Sequence, residues 1–521
     1  MIEANSINHN RQTLLCIALF ASSACGLIIE IVAGRLLAPY VGMSLYTWTA
    51  IIAVVLAGLS VGHWIGGILA PPHVKVRTGL TRAGWALAAS AVSTLAILIL
   101  LRFVASLLMP SSLNPISVIV ILSTALFFLP SFFVGIVSPI LTKLAVDEDK
   151  GRHPGKIIGR MYALGTLGSI AGTLLAGFIF ISWIGSVGTV LLVSAVYSAL
   201  AISFFLIGSV RSTTSYLVLL FLMLSGTSML GAKLQAFTSP CHIESDYFCI
   251  RIDEAPSFAP TARLMALDHL VHSINDSVEP SLFYSPYIHF VDEYTKQRMG
   301  NDPPSTYFIG GGGFSLPRAW VHEYKGTANL IAVEIDPAVT KAAINHLWLK
   351  PKKEGLKIVH QDARAYLQSL PMKPTFDVIF GDAFHDITIP QHLVTHEFHE
   401  EIADRLNPQG FYVLNVVDNI KHPRFLLAIA KTLFMTFPYV EVWVERGRGV
   451  ISGRETFLVT GSKHRSPDAI LLAHRGLPRS WVRWPDSKLR RLIEEPKVLR
   501  LTDDLAPVDR LMSNHLLAFT Y

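Results

Sequence analysis

The chain has 521 residues, 44 Lys and Arg against 38 Asp and Glu, a formal net charge of +6 at pH 7, and 51% hydrophobic residues. The basic excess lies in residues 1–234, which hold 13 Lys and Arg but only 5 Asp and Glu. Because this excess occupies short loops between apolar runs, it indicates membrane topology and argues against nucleic-acid binding. Four cysteines are too few for a disulfide scaffold.

Seven segments of the first half reach the length of about 20 apolar residues that crosses a bilayer. They lie near residues 12–34, 46–70, 84–108, 116–142, 160–183, 188–209 and 215–234. The first is too long for a cleaved signal peptide, and further spans follow it. We therefore expect residues 1–234 to form a transmembrane domain of about seven helices embedded in a lipid bilayer.

The basic residues concentrate in alternate loops, which places these loops and the N-terminus in the cytoplasm. Seven crossings would put the second half outside, but one span fewer would reverse this, so the side stays open. Glu30 lies at membrane depth and is either functional or half of a structural pair with His63 or an arginine. Gly168 and Gly172, four residues apart, predict close helix packing.

The second half begins with a small β-rich element over residues 235–300. Cys241 and Cys249 are close enough in sequence to form a disulfide in an oxidising compartment, or they remain two buried thiols.

From Thr306 the pattern becomes strand, glycine loop, helix and strand, which is typical of a doubly wound sheet. Strands are predicted at TYFI, LIAVEID, LKIVH, FDVIFGD, GFYVLNVV, VEVWV and TFLVTG, with helices between them. We expect a Rossmann-like α/β domain over residues 301–465, with a parallel sheet of six or seven strands. Residues 466–521 form a C-terminal extension whose segment SWVRWPDSKLRRLIEEP predicts an amphipathic helix, packed on the sheet or on a membrane surface.

The ends of these strands carry the candidate nucleotide site. Gly310, Gly311, Gly312 and Gly313 allow the backbone to approach a ligand closely. Glu334 follows the second strand, where a carboxylate can accept ribose hydroxyls. Asp362 follows the third strand and can accept a hydrogen bond from an adenine amino group, and Asp382 follows the fourth.

The spacing GGGGFS does not fit G-x-G-x-x-G, and the chain lacks the G-K-[ST] of a P-loop. The pattern therefore favours an adenosyl-type ligand over a dinucleotide. We interpret this ligand as a nucleoside that carries a reactive sulfonium.

Several motifs occur in a specific order: ESDYFCIRI, LMALDHLVHS, YFIGGGGFSLPR, AVEIDP, VHQDARAYL, FDVIFGDAF and LTDDLAPVDRL. They resemble the spermidine synthase (polyamine aminopropyltransferase) family, particularly its bacterial members with a fused multi-span N-terminal domain. The resemblance implies a multi-pass protein of the bacterial inner (plasma) membrane. It also implies transfer of an aminopropyl group from decarboxylated S-adenosylmethionine to a small-molecule amine, and a possible homodimer through the transferase domain.

The resemblance also implies roles for individual residues. Glu334 would bind ribose, Asp362 and Ala363 would border the adenine, and Asp382 would lie beside the attacking amine. Asp382 has a chemical argument of its own, because an amine is protonated at neutral pH and must lose a proton before it attacks. Substrate contacts are expected from Asp386, Tyr284 and His272.

The sequence departs from the family at the polyamine side of the site. Gly313 stands where the family usually has an aspartate, His272 where it has a glutamine, and Ser285 where a second glutamine is expected. No clear counterpart of a late amine-binding tyrosine is present in RGRGVISGRETF. The donor and the acceptor can therefore differ from decarboxylated S-adenosylmethionine and putrescine.

Three alternatives stay open. One is methyl transfer from S-adenosylmethionine, because its nucleoside site would look alike. Another is a transporter or sensor that binds a polyamine or nucleoside without turnover. The third concerns the histidines of HDITIPQHLVTHEFHEE, where His392 and His396 would share a helix face and could bind zinc, but no complete ligand set is evident and no metal is expected.

Overall fold

The structure is a computed structural model that describes residues 2–517, except 72–74, 112, 150–151, 209–211, 351–354, 385–388 and 448–452. The chain divides into two compact units, Met1–Asp246 and Tyr247–Tyr521. The boundary lies shortly after position 234, where the composition of the sequence changes.

The first unit is helical. Its elements are α1 (Ile2–Val41), α2 (Leu45–Leu69), α3 (Val76–Leu108), α4 (Pro115–Glu148), α5 (Pro154–Leu175), α6 (Ile181–Gly208), α7 (Thr213–Lys233) and a short strand, β1 (Ile243–Glu244). In the described residues, six continuous helical segments are long and apolar enough to cross a membrane. One of these, Pro154–Gly208, joins α5 to α6 through a π-helical turn, Ala176–Phe180.

The segment Pro154–Gly208 contains 55 residues, more than twice the length of about 20 that one crossing needs. Gly185 within it has φ 71° and ψ 174°, which are not helical values. The backbone therefore changes direction at the loop that the sequence places between its fifth and sixth spans.

Small residues allow the helices of this unit to pack closely, as the sequence predicts. A Cβ atom at Gly168 would lie 2.2 Å from the main-chain oxygen of Phe20, and one at Gly172 would lie 2.2 Å from that of Ala24. Helices α5 and α1 therefore approach to a distance that only glycine permits at these two positions.

Glu30 lies half-buried on α1 and makes no hydrogen bond or ion pair with any residue that the structure describes. The structural pair expected with His63 or an arginine is therefore not found there. Cys241 and Cys249 are both disulfide-bonded, whereas Cys16 and Cys25 are free and buried.

The second unit begins with the predicted β-rich element. The strands β2 (Cys249–Glu254), β3 (Ala262–Leu267) and β4 (Leu270–Asp276) pair in antiparallel order, and α8 (Pro286–Met299) follows. The helix leads into the first strand of a larger sheet.

The larger sheet contains all seven predicted strands: β5 (Ser305–Ile309), β6 (Asn329–Val333), β7 (Leu356–Val359), β8 (Phe376–Gly381), β9 (Leu406–Asn419), β10 (Tyr439–Glu445) and β11 (Arg454–Ser462). The connecting helices are α9 (Ser315–Glu323), α10 (Pro337–His346), α11 (Ala363–Ser369), α12 (His396–Ala403) and α13 (Arg424–Leu433). The C-terminal extension adds β12 (Ile470–Leu472), β13 (Ser480–Arg483), α14 (Asp486–Ile493) and α15 (Val508–Leu517).

The strand order is β12-β13-β10-β11-β9-β8-β5-β6-β7, so the sheet holds seven strands within residues 301–465, as expected, and two more, β12 and β13, from the C-terminal extension. It is also mixed, because β9, β11, β10, β13 and β12 pair in antiparallel fashion. The connection between β10 and β11 explains part of this difference. Residues 446–453 are too few for the crossover of a dozen or more residues that a parallel pair requires.

The amphipathic segment of the C-terminal extension packs within the second unit. Leu489 and Ile493 of α14 are buried in the same apolar core as Leu426 and Leu433 of α13. Of the two alternatives, packing within the domain is the one observed.

The strand order reverses between β5 and β8, since β6 and β7 continue to one side of β5 and β9 follows β8 on the other. In doubly wound sheets, a ligand binds beyond the carboxyl ends of the strands at this reversal. The glycine loop follows β5 and Asp382 follows β8, so the fold brings them to the same edge.

Candidate active site

The glycine loop passes directly over the end of β8. Gly310 has φ 98°, in the region that favours glycine, and its N–H donates to the main-chain oxygen of Val333 at 2.9 Å. A Cβ atom at Gly310 would lie 2.6 Å from the main-chain oxygen of Asp382. Glycine is therefore required here for the loop to approach the end of β8 so closely.

Glu334 holds the loop in place. Its Oε2 atom accepts hydrogen bonds from the N–H groups of Gly311 at 2.9 Å and Gly312 at 3.0 Å, and Oε1 accepts from Asp336 at 3.0 Å. Burial raises the pKa of this carboxyl above its ordinary value, against the effect of the backbone donors. Because a carboxylate has about four acceptor positions, these three bonds leave room for a ligand hydroxyl.

Asp362 caps α11 and pairs with a histidine. Its Oδ1 atom accepts from the N–H of Ala365 at 2.9 Å, and Oδ2 lies 2.7 Å from Nε2 of His392. Burial alone would raise the pKa of Asp362, but these partners outweigh it and hold the pKa below its ordinary value. The carboxyl of Asp362 is therefore ionised. A ligand that binds this carboxylate would share it with the ring of His392.

Asp382 lies directly after the last residue of β8. Nδ2 of Asn415, on β9, donates to its Oδ1 atom at 2.9 Å, and the hydroxyl of Tyr287 also interacts with the carboxyl. The same hydroxyl lies 3.2 Å from the main-chain oxygen of His272, so its single hydrogen is shared between two acceptors. Burial raises the pKa of Asp382 to about 7, although Asn415 and Tyr287 oppose this shift.

His272, one of the predicted substrate contacts, is a neutral histidine. Burial lowers the pKa of His272 to about 4, with smaller effects from the charges of His269 and Arg454. The Nε2 atom of His272 is buried without a hydrogen-bond partner. At neutral pH this side chain therefore offers a neutral imidazole rather than a cation.

A neighbouring side chain leaves no space for a side chain at position 313. A Cβ atom at this position would lie 1.9 Å from Oγ and 2.5 Å from Cβ of Ser273, which is buried. The Gly313 carbonyl accepts from Nδ2 of Asn275 at 2.8 Å. The space that an aspartate would need here is filled by Ser273.

The structure brings most of the predicted residues into one cavity of the second unit. Its walls include Gly310, Gly312, Glu334, Asp362, Ala363, Asp382 and His272. Gly311 and Gly313 belong to the loop but not to the walls. Asp386 lies outside the described residues.

Tyr284 is placed away from these walls. Its hydroxyl donates to Oδ2 of Asp276 at 3.3 Å, and its ring packs edge-to-face on Phe258. Tyr287, one position inside α8, is the tyrosine that reaches Asp382. No spacing in SLFYSPY distinguishes the two tyrosines, because their positions depend on where the helix begins.

Asn415 is the second residue that the sequence interpretation missed. It is a lone polar residue within the apolar strand GFYVLNVV, and it is buried. A polar side chain near the carboxyl end of an otherwise apolar central strand is a usable signal for a site residue.

The histidines of the segment after β8 are dispersed. His392 lies in a short 3₁₀ turn, Gln391–Leu393, whereas His396 begins α12, so they do not share a helix face. His399 is buried, and its ring nitrogens have no partners. Among the described residues, no group of three or more His, Cys, Asp or Glu side chains is placed to hold a metal ion.

Part of the chain is similar to proteins of known family. The family model of the spermine/spermidine synthase domain matches residues 302–463. A polyamine aminopropyltransferase of Vibrio vulnificus (strain CMCP6) is 31% identical over 157 residues, which cover 30% of this chain and 52% of that protein. The chain thus spans about half the length of that relative.

A longer match is polyamine aminopropyltransferase 1 of Streptomyces coelicolor, which is 24% identical over 454 residues, or 82% of this chain and 80% of that protein. Among solved structures, a probable spermidine synthase from Corynebacterium glutamicum has 20% identity and a TM-score of 0.44, covering 52% of this chain and 99% of that one. From the family match, we conclude that the C-terminal region of the chain contains a spermine/spermidine synthase domain, over residues 302–463.

Proposed function

We propose that the protein is a membrane-anchored transferase that moves an aminopropyl or related group from a decarboxylated S-adenosylmethionine-type donor to an amine. The observation that carries this proposal is Asp382, a half-buried carboxyl with a pKa raised to about 7, located beside the glycine loop. The names of the relatives and the domain match support the same reaction class.

In this reaction the amine nitrogen attacks the methylene carbon bonded to the sulfonium. The new C–N bond forms as the C–S bond breaks, and its electron pair returns to sulfur, which leaves as the neutral thioether methylthioadenosine. The acceptor amine, with a pKa near 10, must first lose a proton. Asp382 can hold the ammonium group and then accept this proton, because its raised pKa makes it a stronger base than an exposed carboxylate.

We assign the nucleoside to the glycine loop, Glu334, Asp362 and Ala363, and the amine to Asp382. Tyr287 and Asn415 position the carboxyl of Asp382. Asp386 and His272 remain predicted substrate contacts, whereas Tyr284, whose hydroxyl donates to Asp276, does not line the cavity. The apolar helices of the first unit would provide the membrane anchor, and the transferase domain could pair with a second copy.

The packing of Ser273 against Gly313 favours a second candidate, methyl transfer from S-adenosylmethionine itself. With no acid at position 313, the loop lacks a carboxylate that would select a donor with only an ammonium group in its tail. Methyl transfer would use the same nucleoside site and the same base.

The test incubates the full chain in detergent with either donor and a panel of amines, and identifies the products by mass spectrometry. Methylthioadenosine from the decarboxylated donor supports aminopropyl transfer, and S-adenosylhomocysteine supports methyl transfer. Asp382→Asn should reduce product formation about 100-fold or more, whereas the exposed control Asp404→Asn should not. Unchanged turnover in Asp382→Asn would contradict the assignment of the base.

A further inference from the structure

The segment that leaves the first unit is held at one end of its helices. Nη2 of Arg35, near the end of α1, donates to the main-chain oxygen of Ser245 at 2.6 Å. Nη2 of Arg102, near the end of α3, donates to the main-chain oxygen of Thr238 at 2.8 Å. The last turns of α1 and α3 therefore lie beside residues 238–245, and we call this side of the unit the exit end.

Other loops of the first unit meet at the opposite end. Nη1 of Arg82 donates to the main-chain oxygen of Leu69, which joins the start of α3 to the end of α2. A Cβ atom at Gly79 would lie 2.7 Å from Cδ2 of Leu144, near the end of α4. Gly79 and Arg102 both belong to α3 and are about 35 Å apart at 1.5 Å per residue. Because the hydrocarbon core of a bilayer is about 30 Å thick, the two ends lie on opposite sides of it.

The long segment Pro154–Gly208 runs to the exit end and back. It starts shortly after the end of α4, and at its turn the N–H of Ser186 donates to Oε2 of Glu244 at 2.8 Å, at the exit end. A Cβ atom at Gly208 would lie 3.0 Å from Oγ1 of Thr81, near the start of α3. The segment therefore supplies two crossings, and with α1 to α4 and α7 the first unit supplies seven.

The two ends differ in charge. Of the 13 Lys and Arg residues in 1–234, three belong to the exit end: Arg35, Arg102 and Lys233. The other ten belong by sequence to the loops and helix termini of the opposite end, which we call the basic end. Short loops rich in Lys and Arg stay in the cytoplasm, whereas long domains cross the membrane largely regardless of their charge. The basic end is therefore the cytoplasmic one.

The cysteines point to the same orientation independently. Cys241, within the exit end, and Cys249, shortly after it in sequence, are both disulfide-bonded. Cys16 and Cys25, inside α1, are free. Disulfides persist in oxidising compartments and are rare in the cytosol. The bonded cysteines thus follow the last crossing, on the side that the charges place outside the cytoplasm.

We propose that the first unit crosses the membrane seven times, with its basic end in the cytoplasm, and that the transferase domain lies on the extracytoplasmic side. The second unit follows the exit end directly in sequence, at Tyr247. This inference rests on the membrane anchoring proposed above but not on the transfer reaction.

The orientation has a consequence for the proposed reaction. The donor and the amine would have to be supplied outside the cytoplasm. The sulfonium of the donor carries a permanent charge, and charged groups enter hydrocarbon at a high cost in free energy. A donor made in the cytoplasm would therefore reach the site only through a membrane transport step.

The test labels single cysteines in spheroplasts that contain the full chain, with a maleimide that cannot cross the membrane. Lys341→Cys lies on α10 of the second unit, and the matched Lys156→Cys lies at the start of α5, at the basic end; both positions are exposed. Lys341→Cys should be labelled in intact spheroplasts, and Lys156→Cys only after lysis. Wild type is the blank, because its cysteines are buried or bonded. Labelling of Lys341→Cys only after lysis, or of Lys156→Cys before it, overturns the proposal.

A second measurement needs no substitution. Cells are quenched in acid, and the denatured chain is alkylated with and without a reductant. Two thiols should react without the reductant and four with it. Four reactive thiols without the reductant would place Cys241 and Cys249 in a reducing compartment and would also overturn the proposal. Recovery of the chain in washed membranes is measured separately, so a failure of the anchoring is distinguished from a failure of the orientation.

Discussion

Replacing Asn415 with leucine should shift the pH dependence of the reaction. Nδ2 of Asn415 donates at 2.9 Å to the carboxyl of Asp382, whose pKa burial raises to about 7. This hydrogen bond favours the ionised form. Leucine has a similar size but no donor, so the carboxylate loses stabilisation and the pKa of Asp382 rises further.

The size of the shift follows from the strength of a hydrogen bond to a charged group, about 1.5–3 kcal/mol. One pKa unit corresponds to about 1.4 kcal/mol, so the pKa should rise by about 1–2 units. Asp382 acts as a base only when ionised. At pH 7 the ionised fraction would fall from about one half to roughly 1–10%, and activity should fall by a similar factor and recover as the pH rises.

The assay is kcat/KM for the amine between pH 5 and pH 9.5. The control is Asn407→Leu, because Nδ2 of Asn407 donates to Asp377 at 2.7 Å across the same two strands, at their other end. Its pH profile should match that of wild type. If the acidic limb of the Asn415→Leu profile stays near that of wild type, Asn415 does not set the ionisation of Asp382 and our reasoning fails.

Three further outcomes are expected. Gly313→Asp should lower the melting temperature, because the new Cβ atom would lie 1.9 Å from Oγ of Ser273. Adding Ser273→Gly should restore much of the lost stability. Equal melting temperatures for Gly313→Asp and wild type would contradict this reasoning. The pKa of Glu293 is held at about 2, because hydrogen bonds outweigh the raising effect of burial. Its contribution to stability, about 3 kcal/mol, is present above the unfolded pKa of about 4.3 and is lost as pH falls towards 2. Denaturant unfolding at pH 6 and pH 3 should therefore show a smaller pH effect in Glu293→Gln than in wild type. Gly168→Leu should lower thermal stability in detergent, whereas Gly177→Leu, which has open space around it, should not.

The helices of the first unit could be predicted from the sequence, but the joining of α5 to α6 into one helical segment could not. The hydropathy of the sequence predicts seven spans, whereas the described residues of the first unit form six continuous helical segments that are long and apolar enough to cross a membrane, one of which joins α5 to α6. The turn at Gly185 coincides with the gap expected between the fifth and sixth spans. The absence of a described partner for Glu30 could not be predicted, because it depends on how neighbouring helices rotate.

The amino-acid sequence by itself determined the order of strand, glycine loop and helix, and the acids that follow successive strands. Glu334, Asp362 and Asp382 meet at one edge because parallel strands present their carboxyl ends on the same side of a sheet. This part of the site follows from local patterns and needs no knowledge of distant contacts.

Only the tertiary structure decided the environment of these residues. Asn415 contacts Asp382 from 33 positions away, Ser273 fills the space beside Gly313 from another sheet, and the first turn of α8 selects Tyr287 over Tyr284. The pKa of a buried carboxyl depends on such contacts and on the loss of water, which arise from packing between segments remote in sequence. The sequence therefore predicts where the acids lie, and the packing of distant segments decides how they ionise.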